Sequence, residues 1–88
     1  MEHASQRDAL RRLSYIEGHL AGIRKMIEQD QYCVDVLKQT YAVRRAIEKL
    51  ETKLLAGHLQ GCVVEGIESG ESDRVIDELV ELYALTNR

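Results

Sequence analysis

The sequence predicts an all-α chain of three helices, over about residues 5–29, 31–66 and 71–86, in one domain spanning 1–88. Three observations predict it. Apolar residues recur at spacings of three and four along most of the chain, the period of one helix face. There is no proline among the 88 residues. No glycine falls between Gly22 and Gly57, so a long stretch is free of helix breakers.

The first helix rests on Leu10, Leu13, Ile16, Leu20, Ile23 and Ile27, an unbroken stripe. The polar run "EQDQY" (28–32) ends it, and Asp30 is the expected cap of the next helix. In that second helix Cys33, Val36, Thr40, Val43, Ile47, Leu50 and Leu54 hold the same rhythm. The stripe continues through Leu55, Leu59, Cys62 and Val63, where Gly57 and Gly61 weaken helix propensity. "EGIESGES" (65–72) carries two glycines and reads as a turn, with Ser69 or Ser72 available as a cap. Val75, Ile76, Leu79, Val80, Leu82 and Tyr83 form the short third helix. A second helix of about 35 residues cannot hide its stripe against one shorter neighbour and a tail. Two hairpins packed as an antiparallel four-helix bundle hide both stripes, so a homodimer or larger oligomer is expected.

Composition narrows the class. Hydrophobic residues make up 44% of the chain and the net charge is −3. That hydrophobic content fits a globular chain, not a disordered one. Charge is uneven: residues 1–53 carry ten Lys/Arg and eight Asp/Glu, whereas residues 54–88 carry two and seven. The halves therefore differ, +2 against −5, which allows a basic face beside an acidic one. No apolar run approaches the roughly 20 residues that cross a membrane. The start, "MEHASQRDALRR", is unlike a signal peptide, and with two cysteines the expectation is a reducing cytoplasm. No paired acid/base constellation points to an enzyme.

The chemistry lies in two cysteines and one histidine. His58 and Cys62 are four residues apart, so they share a helix face and can hold one ion together. Cys33 lies 25 residues before His58 on the same predicted rod, about 37 Å away at helical rise. One chain cannot bring them together. Two antiparallel copies can, with Cys33 of one subunit joining His58 and Cys62 of the other in two symmetric sites. Two thiolates and an imidazole without a fourth ligand lean to Cu(I), with zinc as the competitor. From spacing alone, two buried thiols and a surface imidazole fit equally well.

The residues "RLSYIEGHLAGIRKMIEQDQYCVDVLKQ" and "AVRRAIEKLETKLLAGHLQGC" resemble the CsoR/RcnR-type family of bacterial metal-responsive transcriptional repressors, over about Arg11 to Leu82. The copper-sensing branch shares a Cys…His-x-x-x-Cys set between subunits, and Cys33, His58 and Cys62 match it. That branch also has a tyrosine before the first cysteine and a glutamate in the third helix, matched by Tyr32 and Glu78. The resemblance implies a dimer of dimers that binds operator DNA when metal-free and releases it on binding Cu(I). Arg12 and Lys49 match DNA-contacting positions. Arg11, Arg44, Arg45 and Lys53 join them on charge alone. Lys49 replaces an arginine of some relatives and lacks its bidentate fork.

Other readings stand beside this one. On the same scaffold, Cys33 and the partner's Cys62 suit a persulfide or thiol-redox sensor, although such chemistry needs no His58. A nickel- or zinc-responsive relative is a third reading, but Cys62 stands where the nickel and cobalt sensors carry histidine. His3 lies about two residues from the extra histidine of those sensors. A formaldehyde sensor needs an N-terminal proline that is absent. In a different class stands a helical metal-buffering oligomer without a DNA role. His19, on the first helix, is expected to be a packing or hydrogen-bonding residue.

Overall fold

The computed structural model describes residues 3–87, with side chains described from Ser5 to Asn87. Helix α1 spans His3–Glu28 and α2 spans Cys33–His58. A π turn, Leu59–Val63, continues α2 directly into α3, Val64–Glu68. Helix α4 covers Ser72–Thr86. The residues at both joints of the π turn keep right-handed helical backbone, so 33–68 is one rod. At about 1.5 Å per residue it accounts for most of the 56 Å long axis. The expected three helices are therefore present, with bounds shifted by a few residues. Among the described residues no helix is long and apolar enough to cross a membrane.

Two turns depart from the sequence expectation in the same way. Asp30 does not cap α2: its φ is +55°, in the left-handed region. It closes α1 instead, its N–H donating to Ile27 O while Gln31 N–H donates to Met26 O, both at 3.0 Å. Gly70, at φ +87°, repeats the motif with bonds from Gly70 N–H to Ile67 O and from Glu71 N–H to Gly66 O. Both are Schellman closures, in which the left-handed residue ends a helix and is spent before the next begins. Aspartate tolerates that conformation better than most residues. The capping positions of α2 and α4 thus fall to Tyr32 and Glu71, neither with a side-chain cap bond. Neither serine caps α4: Ser72 is its first residue, and the Ser69 hydroxyl donates back to Gly66 O at 3.1 Å.

Helix α1 runs antiparallel to α2. Ile16, Ile23 and Val43 are buried between them, flanked by Val36, Ala46 and Leu50. Ser5 approaches Gly57 at one end, and His19 meets Gln39 nearer the other. A second small contact joins α3 to α4, where Val75 lies against Gly66 so tightly that a Cβ there would overlap its side chain. The core of one chain is small: among the described residues five hydrophobic side chains are buried and twenty large ones stay exposed. Leu10, Leu13, Leu20 and Ile27, two thirds of the first stripe, are among the exposed. An apolar surface on this scale is the mark of an interaction face.

Candidate functional site

Cys33 is the first residue of α2, so the turn that closes α1 sets its position. Its thiol is free and exposed. Tyr32, just before it, is 68% exposed. At the far end of the same rod, His58 is the last residue before the π turn and Cys62 lies inside it. Cys62 is also free and exposed. His58 is half-buried and lines an open groove with Leu54, Leu55, Leu82 and Leu85, between α2 and the end of α4. The groove encloses about 670 Å³.

The π turn was not anticipated from the sequence. Its signal was present in Gly57 and Gly61, which lower the preference for a regular helix on either side of Leu59. Such turns are rare and concentrate at functional sites. This one begins immediately after one candidate ligand and contains another.

Within one chain the three candidate ligands do not meet. Among the described residues no group of three or more His, Cys, Asp or Glu side chains is close enough to hold an ion. Glu78 is engaged on its own helix, its Oε1 accepting a hydrogen bond from Arg74 Nη1 at 2.7 Å. Arg74 also donates to Glu71 at 2.5 Å, and this pairing, Glu71 foremost, holds its guanidinium above the usual pKa. The side chain of His3 lies outside the described residues. His19 accepts or donates at Nε2 to Gln39 Oε1, 2.7 Å away, and stands edge-on to Tyr15. It is a bridge between α1 and α2, as expected.

The basic residues converge better than their spacing promised. Arg11, Arg12 and Lys49 line one shallow depression between α1 and α2, with Tyr15 and Ala46. Lys53 lines the next depression along the hairpin, with Ser5, Asp8 and Gly57. Arg45, Lys49 and Lys53 are spaced four apart and so follow one line on α2. Arg44 lies off that line, its guanidinium 5.1 Å from the Tyr41 ring centre. The sequence reading missed Asp8, which pairs with both Arg11 and Arg12. The signal was its place three and four residues before them on a helix.

A rod with sulfur and imidazole donors at its two ends, and a basic face on the hairpin, is the outline of a metal-responsive regulator. Comparison with known proteins gives the class. The family model for metal-sensitive transcriptional repressors matches residues 5–84, and the chain belongs to that family. The family is one of repressors, not of enzymes. The copper-sensing transcriptional repressor CsoR of Mycobacterium tuberculosis is 40% identical over 83 residues, which cover 94% of this chain and 70% of that one. CsoR of Bacillus subtilis is 42% identical over 72 residues, 82% of this chain and 71% of its own. The crystal structure of the copper-sensing repressor CsoR with Cu(I) from Geobacillus thermodenitrificans superposes with a TM-score of 0.93. It is 28% identical, and the match covers all of this chain and 92% of the other.

Proposed function

We propose that this chain is a Cu(I)-responsive repressor that holds operator DNA when metal-free and releases it when its intersubunit site closes on the ion. One observation carries the reading: Cys33 and the His58–Cys62 pair occupy opposite ends of one continuous helix. Copies paired antiparallel bring the head of one rod to the tail of the other. The exposed apolar stripes supply the surface for such a pairing, and the likeness to copper-sensing repressors supports the choice of metal.

The donor set fits the ion. Both thiols are free and solvent-accessible, and among the described residues neither they nor His58 are engaged in a hydrogen bond or ion pair. Two soft sulfur donors and one imidazole match the preference of Cu(I). When bound, Cu(I) supplies a soft Lewis acid that ties two subunits together at these ligands. The chain does the rest. Cys33 would contribute its thiolate from one subunit, and the partner would contribute the imidazole of His58 and the thiolate of Cys62. Tyr32, adjacent to Cys33, and Glu78, half-buried on α4, are the candidates for a supporting role: a carboxylate or a phenol would orient His58 by a hydrogen bond at its free ring nitrogen. Arg74 holds Glu78 through Oε1 alone, which leaves Oε2 for such a bond and makes Arg74 part of this arrangement.

DNA is held by Arg12 and Lys49, with Arg11, Arg45 and Lys53 extending the basic face and Arg44 at its margin. These are phosphate contacts, so affinity falls steeply with salt. The assembly is a homodimer or homotetramer. The decisive experiment is a fluorescence-anisotropy titration of the apo protein on promoter DNA, with Cu(I), Ni(II), Zn(II) and a persulfide donor added in turn. Release by Cu(I) alone is the expected result. Release by the persulfide donor alone replaces this reading with thiol sensing.

A further inference from the structure

The basic depression has an acidic neighbour. Both carboxylate oxygens of Asp8 accept hydrogen bonds: Arg11 Nη2 donates to Oδ1 at 2.5 Å and Arg12 Nε donates to Oδ2 at 3.0 Å. The two pairs are unequal. Arg11 is 77% exposed, whereas Arg12 and Asp8 are shielded, at 27% and 29%. An exposed pair such as the first holds little in place. The shielded pair restricts a long side chain that otherwise samples many rotamers.

The direction of the restraint matters. Arg12 lines the depression that it shares with Lys49, and Asp8 does not. Asp8 lines the adjoining depression, beside Lys53 and Gly57. Arg12 is therefore gripped from outside the depression, through Nε. Among the described residues its two terminal nitrogens have no partner, and these form the fork that suits a phosphate.

We infer that Asp8 is a positioning residue for Arg12, holding its guanidinium where Arg12 and Lys49 together engage a DNA phosphate. This rests on the reading of Arg12 and Lys49 as DNA contacts. Two effects of the carboxylate oppose each other. Its negative charge repels phosphates, and its hydrogen bond orders the arginine before DNA arrives. The repulsion is offset at short range by the two guanidinium groups and screened by salt beyond about 8–10 Å. The ordering is not cancelled by anything nearby, so it prevails.

The test is a double-mutant cycle in the full-length apo protein. Binding of a fluorescein-labelled duplex from the chain's own upstream region is followed by anisotropy, with far-UV circular dichroism to verify the fold. Asp8→Ala weakens binding about three- to tenfold, the scale of ordering one long side chain. Asp8→Asn keeps an amide oxygen for Arg12 Nε and loses less. In an Arg12→Ala background Asp8→Ala changes nothing, because the partner it acts through is gone. Tighter binding by both Asp8 variants overturns the proposal and makes Asp8 a repulsive charge. An equal loss in the Arg12→Ala background also overturns it, since the effect is then a general one on α1. An effective Arg12→Ala with a silent Asp8→Ala sinks the role of Asp8 alone. A silent Arg12→Ala sinks the DNA-face reading and this proposal with it.

Discussion

Cys33 and His58 stand 25 residues apart on one unbroken helix and are therefore separated by about 37 Å along its axis. No folding of the loops changes that distance, because it is set by backbone hydrogen bonds within the rod. A ligand set that includes both must draw on two chains. Chains carrying Cys33→Ala and chains carrying Cys62→Ala each lose tight Cu(I) binding when prepared alone. Co-expressed, they form mixed dimers in which one site regains both sulfurs and the histidine. Competition against a chromophoric Cu(I) chelator, with X-ray absorption to count sulfur neighbours, measures the recovery. A mixture that binds no better than either parent rules out sharing between subunits.

The convergence of Arg12 and Lys49 on one depression makes a separate prediction. Arg12→Ala and Lys49→Ala each weaken operator binding, and each lowers the slope of log affinity against log salt by about 1. Neither variant alters Cu(I) uptake, because the basic cluster and the ligand residues share no side chain. The measurement is a salt titration of DNA binding for the native chain and both variants. A slope that stays at the native value removes that residue from the DNA face. Arg44→Ala, at a residue stacked on Tyr41 and off the main basic line, changes the slope less.

The helices were legible because their signal is periodic and repeated. Leu10 to Ile27, and Cys33 to Leu54, each report the same face many times over. The caps were not, because each rests on one residue with competing uses. Asp30 has the side chain of a helix cap, yet the backbone needed a left-handed residue to end α1 and Asp30 met that need first. The candidate ligands were legible as a pattern of residue types, and the rod geometry followed from the unbroken stripe. The π turn and the Asp8 clamp were not read, although both are local: two glycines lower helix preference without specifying a wider turn, and the clamp lies within α1. Asp8 lay within reach of the helix-pair rule, but a carboxylate before two arginines is common on solvated faces and draws no notice by itself.

Two glycines of the rod should behave oppositely on substitution by alanine. A Cβ at Gly66 would overlap Val75 Cγ2, and both residues are buried. Gly66→Ala is expected to lose about 1–3 kcal/mol by overpacking, with α4 pushed off α3. At Gly61 a Cβ meets nothing within 4 Å. Gly61→Ala gains about 0.5–1 kcal/mol from reduced backbone freedom in the unfolded chain. Thermal unfolding followed by circular dichroism separates them, with a lower midpoint for the first and a higher one for the second. Equal midpoints contradict the packing seen between α3 and α4.

Asp8 links pH to the basic face. The hydrogen bond from Arg12 is the largest of the influences that hold its carboxyl below the ordinary value of 3.8, outweighing the opposing effect of partial desolvation. Because the folded-state pKa lies below the unfolded one, the charged form favours folding. That contribution is fully present above the ordinary carboxylate pKa and fades as pH falls through the lowered one. Near neutral pH the Asp8–Arg12 pair is therefore insensitive to small changes in acidity, and any pH dependence of DNA binding in that range arises elsewhere. Carbon-detected NMR of the aspartate carboxyls gives the check. Asp8 titrates below its unfolded value in the native chain and shifts upward in Arg12→Ala, whereas Arg11→Ala shifts it less, because the Arg11 contacts are the weaker influences on it. An Asp8 that titrates at the ordinary position in the native chain means that the bond to Arg12 does not persist in solution.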